Sequence, residues 1–357
     1  MAGKGQRGSS RREHLLQCSP RLPALSLRLS RAARMCAGSA WRVFLVLGWR
    51  AAGAPALRDG VELAVTVTER DLARFPDAAA RLAEISGYCA GGCAARTVVA
   101  DCGGAGAPSA ALRAALERAV GGGAFDRWRA LDASPARVTA LWKRTGGGSD
   151  AWPLLGGPSA RPIASLPYFD MLDATEYAYL LHFDIDVSMR FAAGRPPRPW
   201  LAAATAVLAQ HPRLLAAHPP AWQAREKLCA GRERDRCRGG RAFHTNWSLP
   251  VVGHATWLSA RVFLMDVARY RSLHGRLRAD CVRANRAAVA ARTSDAFARF
   301  FDKTHGPGSA NQHWEAYASC AALLAGFQRA DLCGDWAVTW HDRDRDRGVR
   351  APRKCFP

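Results

Sequence analysis

YLLHFDIDVSM, residues 179–189, is an apolar run that stops at two aspartates one residue apart, Asp184 and Asp186. Side chains at i and i+2 of an extended segment point to the same side. The two carboxylates would therefore crowd at a strand end and repel each other unless a cation lay between them. A divalent metal, Mn2+ or Mg2+, is the expected cation, with one carboxylate binding it directly and the other through water or by ordering a ribose. The metal would then neutralise a diphosphate leaving group. Short D-x-D strings also occur in solvated turns, and the apolar strand leading into this one sets it apart.

Upstream, strand and helix signals alternate. VELAVTV (61–67) is rich in β-branched residues and predicts a strand, and Leu72, Phe75, Ala79, Leu82 and Ile85 follow at helical spacing. ARTVVADC (95–102) repeats the strand signal. After the glycine-rich GGAGAPS, Leu112, Leu116 and Val120 mark one helical face. RVTAL (137–141) is expected to be a third strand, and Gly146 to Gly148 with LLGGPSARP mark a loop before TEYAYLLHF delivers the aspartates.

Beyond residue 190, GRPPRPW and AAHPPAW break the chain around a helix carrying Trp200, Leu208 and Leu214, and AGRERDRCRGGR (230–241) reads as a solvated loop. RVFLMD (261–266) predicts a strand running into the helix VARYRSL. Helices are expected around 277–292 and 312–328, and WAVTW (336–340) is a last short strand ending at His341. Alternating strands and helices predict an α/β fold, a Rossmann-like, mainly parallel sheet flanked by helices in a single large domain. Ligands of such sheets sit beyond the carboxyl ends of the strands, where Asp101 and Asp184 fall. The expected organisation is a targeting or low-complexity segment at 1–59, two halves of one domain at 60–190 and 191–342, and a charged tail at 343–357.

At 357 residues and 49% hydrophobic content the chain can bury a large core, which excludes a disordered protein. The net charge of +21 is concentrated towards the start: the first 60 residues carry eleven basic side chains against Glu13 and Asp59. The basic charge is nearly all arginine and no aromatic-interleaved RNA-binding signature accompanies it, so no specific nucleic-acid partner is expected. The stretch WRVFLVLGWRAAGAPA has only seven residues between Arg42 and Arg50, well short of the ~20 apolar residues of a spanning helix. It reads as a signal or transit segment, and Met35 is an alternative start.

Eleven cysteines include no CxxC pair, so a structural zinc site has little support. Cys89/Cys93 and Cys229/Cys237 are spaced to close small disulfide loops, and NWS at Asn246 is a glycosylation acceptor sequence. Both features favour the lumen of the secretory pathway, Golgi or endoplasmic reticulum, with an organelle reached by a transit peptide as the alternative.

The β-α start at 61–86, the second strand ending in an acid (VVADCGG, Asp101), and EYAYLLHFDID together resemble the GT-A fold nucleotide-diphospho-sugar glycosyltransferase superfamily. WLSARVFLMDVARYRSL resembles its acceptor-side half. The resemblance covers roughly residues 60–342. It implies that Asp101 contacts the nucleoside, that Asp184 and Asp186 hold the metal and diphosphate, and that His341 completes the metal's coordination. The donor would be a nucleoside-diphosphate sugar and the acceptor a hydroxyl of a glycan, protein or lipid. The Q-x-x-R-W signature of processive synthases is absent, which implies transfer of a single sugar.

Transfer with inversion needs a general base for the attacking hydroxyl. Glu315 in NQHWEAYA and Asp266 in FLMD are the candidates, although Asp266 also suits a helix N-cap; a retaining enzyme would need no such base. Trp257, Trp314 and Trp340 are available to stack on sugar rings. Two other chemistries share parts of the pattern. FDIDVS approximates the motif of haloacid dehalogenase-like phosphatases, with Asp184 as nucleophile and Asp186 as general acid, and Lys227 or Lys303 as the further cation. CGGAGAPS supplies Gly104 and Gly106 of a dinucleotide phosphate loop but places Ser109 where a third small residue belongs.

Overall fold

Val61 to Val65 are buried on both faces of the first strand, the burial expected of a central strand in a parallel sheet. The computed structural model describes residues 56–89, 91–102, 106–146, 165–190, 198–219, 251–254, 258–278, 280–292, 298–299, 314–332 and 338–341. Residues Ala56–Pro357 form one compact unit, and Met1–Pro55 form another that lies outside the described residues.

The elements run β1 (Arg58–Thr68), α1 (Glu69–Arg74), α2 (Ala78–Gly87), β2 (Ala95–Asp101), α3 (Ala110–Gly121), β3 (Arg127–Ala130) and α4 (Pro135–Gly146). Then follow α5 (Leu166–Ala174), β4 (Tyr177–Asp184), β5 (Val187–Arg190), α6 (Arg198–Gln210), β6 (Leu214–His218), β7 (Val251–His254) and β8 (Val262–Asp266). The last are α7 (Val267–Arg271), α8 (Cys281–Ala284), α9 (Arg286–Arg292), α10 (Trp314–Leu324), β9 (Gln328–Leu332) and β10 (Val338–His341).

Eight strands form one mixed sheet in the order β3-β2-β1-β4-β8-β6-β9-β7. The β3-β2-β1-β4 half is wholly parallel, β6 and β9 are parallel to each other, and β8 and β7 run antiparallel to their neighbours. The chain builds outward from β1 through β2 and β3, then returns to place β4 on the other side of β1. That reversal makes the carboxyl ends of β1 and β4 the switch point of the sheet, the place where doubly wound sheets bind ligands. A separate ribbon pairs β5 with β10 and sets His341 opposite Val187.

Strand side chains alternate between two cores, one on each face of the sheet. Leu63, Val65, Leu181 and Phe183 pack with Leu82 and Ile85 of α2, Leu112 and Leu116 of α3, and Trp200 and Leu208 of α6. Ala64 and Leu180 face the other way, with Phe169 of α5, Tyr270 of α7 and Trp314 of α10. The same parity puts His182 and Asp184 on the α5 and α10 face.

Local rules explain where the expected elements shift. The helix expected through Leu72 and Ile85 is two helices, because Pro76 disfavours helical geometry at Phe75, whose φ and ψ are −123° and 83°. Asp77 then restarts the chain by accepting a hydrogen bond from the Ala80 amide at 3.0 Å. RVTAL is not a strand. It lies inside α4, opened by Pro135 at a helix start where a missing N–H costs nothing, and the third strand is Arg127–Ala130. Leu214 belongs to β6 rather than to the preceding helix, the segment 277–292 divides into α8 and α9, and Gln328 opens β9. Each of these short strands is stabilised by partners distant in sequence, which local periodicity does not register. No helix among the described residues is long and apolar enough to cross a membrane.

Among the described residues there are two disulfides, Cys89–Cys93 and Cys281–Cys320, with Cα separations of 5.5 and 6.1 Å. The first agrees with the spacing-based expectation, and the second joins α8 to α10 across 39 residues. Cys229, Cys237, Asn246, Trp257, Lys227, Lys303 and the 230–241 loop lie outside the described residues.

Candidate functional site

Asp184 ends β4 beside Thr66 of β1, while Asp101 ends β2 beside Thr68 of the same strand. Two acids therefore flank the end of β1, separated laterally by two strand spacings, roughly 10 Å. After Asp184 the strand stops. Ile185 and Asp186 form a turn that leads into β5, so the two aspartates are not successive same-face residues of one strand as the sequence pattern suggested. The turn gives them different partners.

Oδ1 of Asp184 receives the Tyr168 hydroxyl at 2.9 Å and faces Nε2 of His182 at 3.1 Å. His182 is fully buried, and its Nδ1 lies 3.0 Å from the carbonyl of Ala64 on β1, which fixes the ring. Asp184 Oδ2 makes no hydrogen bond among the described residues, and the side chain is 29% exposed. One oxygen is anchored, and the other has no hydrogen bond among the described residues.

Behind Asp184 lies an aromatic stack. Tyr168 packs on Trp314 with ring centroids 5.4 Å apart and meets His182 edge-on at 5.1 Å, while Trp314 stacks on Phe263 at 5.2 Å and donates its indole N–H to Tyr270 at 3.0 Å. Trp314 is thus a packed core residue, 1% exposed, and cannot be a sugar-stacking surface. Burial, followed by the charge of Asp184, its hydrogen bond and the charges of Glu315 and Asp186, holds the Tyr168 hydroxyl well above the usual phenol range. Tyr168 is a donor and not a base. Of these acids, Asp184 is the one that accepts the hydroxyl's hydrogen bond.

Asp186 is nearly buried and pairs with Arg74 at the end of α1, Nη1 to Oδ2 at 3.0 Å. Arg81 of α2 donates from Nε to the Ile185 carbonyl at 2.8 Å, so two arginines from the first β-α unit grip the turn. Both guanidinium groups lie over the Phe75 ring. Asp71 accepts from the Thr68 amide and hydroxyl at 2.7 and 2.8 Å, which seats α1 at the end of β1.

Glu315, in the first turn of α10, accepts from the Ala260 amide at 2.5 Å. Asp266 is elsewhere. It pairs with Tyr179 near the start of β4, at the opposite edge of the sheet from Asp184, because β8 runs antiparallel. There it caps α7 by accepting from the Arg269 amide at 2.9 Å and pairs with the Arg269 guanidinium at 3.2 Å. Asp184, Asp186 and Glu315 each have their own partners, and Asp266 lies away from all three at the far ends of β4 and β8. His341 enters through its backbone, opposite Val187 and so one residue from Asp186 in register.

Gly104 of the glycine-rich segment lies outside the described residues. Ser109 caps α3, and its amide and hydroxyl both bind the Glu69 carboxylate at 2.8 Å, so an acid of the chain already takes the anion's place. Among the described residues no group of three His, Cys, Asp or Glu side chains converges as a metal cluster.

Tyr168, His182, Arg74 and Arg81 were not singled out by the sequence. Only His182 left a sign there, a polar residue inside an apolar run at i−2 from Asp184. No protein-family model matches the chain, and a search of curated proteins returns no match.

Proposed function

We propose that this chain is a metal-dependent glycosyltransferase of GT-A type, transferring one sugar from a nucleoside-diphosphate sugar to an acceptor hydroxyl. The observation that carries the reading is Asp184 at the sheet's switch point, with Oδ1 fixed by Tyr168 and His182 and Oδ2 without a hydrogen bond among the described residues. Carboxylate oxygens oriented by outer hydrogen bonds suit a hard divalent cation, and Asp184, Asp186 and His341 are the residues that would hold Mn2+ or Mg2+. Such an ion, when bound, supplies positive charge opposite a departing diphosphate.

The chain's own residues do the rest. Tyr168 and His182 keep the Asp184 carboxylate in one orientation, Asp101 faces the nucleoside, and Glu315, held by Ala260, takes the proton of the acceptor hydroxyl if configuration inverts. Asp266 is not proposed for that role, since its carboxylate is committed to α7 at the far edge. The phosphatase reading is less well supported: Asp186, which would be its general acid, is already engaged by Arg74 in an ion pair. The two disulfides favour an oxidising compartment such as the secretory lumen.

The test is thermal stabilisation of the full chain by nucleoside diphosphates and nucleotide sugars, with and without Mn2+. A ligand raises the melting temperature only by preferring the folded state. A Mn2+-dependent shift with one nucleoside diphosphate, lost in Asp184→Asn, is expected. Hydrolysis of an aryl phosphate in Mg2+ with no nucleotide-dependent shift would favour the phosphatase instead.

A further inference from the structure

Arg74 and Arg81 grip the same turn by different means. Arg81 binds a neutral carbonyl, that of Ile185, through a side chain only 9% exposed. This contact fixes the path of the backbone between Asp184 and Asp186. Arg74 is 30% exposed and reaches Asp186 through its guanidinium, with its flat face over Phe75 at 5.5 Å. It is the last residue of α1, the helix that directly follows β1.

We propose that Arg74 is a displaceable counter-ion of Asp186 that becomes a phosphate-binding residue once a divalent cation is present; the inference rests on the reading of Asp186 as a metal ligand given above. A buried carboxylate needs a compensating charge. Without metal, Arg74 provides it across 112 residues of sequence. Were Asp184 and Asp186 to hold a divalent ion, that ion would supply the charge instead, and the Arg74 guanidinium would lose its attraction to Asp186. A planar five-donor fork would then be free, a shape matched to two oxygens of a diphosphate. Metal loading and donor binding are coupled because one guanidinium serves the carboxylate first and the phosphate second.

This predicts effects of opposite sign from one substitution. In the full chain, Mn2+ uptake without nucleotide is measured by electron paramagnetic resonance, and binding of inorganic diphosphate at saturating Mn2+ by calorimetry. Arg74→Met removes the competing cation and is expected to tighten Mn2+ binding by about threefold, the scale of a partly exposed ion pair. The same variant should bind diphosphate about tenfold more weakly, having lost a charge-assisted contact. Arg74→Lys, which keeps the charge but not the fork, should hold Mn2+ as the wild type does and still lose diphosphate affinity; it carries the test if Arg74→Met does not fold. Mn2+ binding in Arg74→Met that is unchanged or weaker, or diphosphate affinity that survives in both variants, overturns the proposal while leaving the transferase reading intact. Wild-type protein that takes up no Mn2+ overturns both.

Discussion

The Tyr168 hydroxyl meets Asp184 Oδ1 at 2.9 Å, from a helix that precedes the strand carrying the aspartate and packs against the same face of the sheet. The bond is partly buried, and it determines which oxygen of Asp184 is engaged. Because His182 addresses the same oxygen, the carboxylate has one orientation in which Oδ2 points away from both partners.

Tyr168→Phe removes that bond while keeping the ring stack on Trp314. The expected result is a loss of about 1 kcal/mol of stability, with Mn2+ binding weakened by roughly tenfold, as for other outer hydrogen bonds to metal ligands. Chemical denaturation and metal titration on the same sample separate the two effects. Unchanged metal affinity would make the Tyr168 bond purely structural.

Glu315→Gln keeps an acceptor for the Ala260 amide and removes the capacity to take a proton. For an inverting transferase the rate at saturating substrates should fall about 10²- to 10⁴-fold, with little change in melting temperature. A variant that retains its rate would exclude Glu315 as the base.

His274 provides a pH signature. Burial, assisted by Arg271 and Arg144, lowers its pKa from 6.5 to about 4, and its ring meets Tyr270 edge-on at 5.8 Å. The unfolded chain therefore binds this proton at a higher pH than the folded one. The stability contributed by neutral His274 is complete above pH 6.5 and is lost as the pH falls towards 4. Buried His218, also lowered, acts in the same direction. His274→Phe should lose less melting temperature than the wild type between pH 7 and pH 4.5, and parallel pH profiles for the two proteins would refute this.

Cys281→Ser with Cys320→Ser opens a cross-link spanning 39 residues between two buried positions. Loop-closure entropy predicts a loss of about 4 kcal/mol. Opening Cys89–Cys93, only 4 residues apart, should cost less. Denaturant melts of each Cys-to-Ser pair under oxidising conditions measure the difference.

Central features of the fold were legible in the sequence because they follow from short-range physics. VELAVTV, ARTVVAD and TEYAYLLHFD are continuous apolar runs ended by polar residues, and a strand buried on both faces has that pattern wherever it lies. Asp101 and Asp184 were visible as acids at the ends of such runs. RWRA was not, because one exposed and three half-buried residues become a strand only when β2 offers its edge, and RVTAL misled because β-branched residues also occur in helices when packing favours it.

The sequence by itself determined the alternation of strands and helices and the delivery of two acids to one strand end, since both depend on neighbours within a few positions. Only the tertiary structure decided what those acids meet. Arg74 lies 112 residues from Asp186, Tyr168 comes from another helix, and His341 arrives through a ribbon closed by β10. It also removed Asp266 from the site, because the antiparallel direction of β8 carries that residue to the opposite edge of the sheet. Strand direction and the return of the chain past β1 are set by the packing of two cores over the whole domain, and no local stretch encodes them.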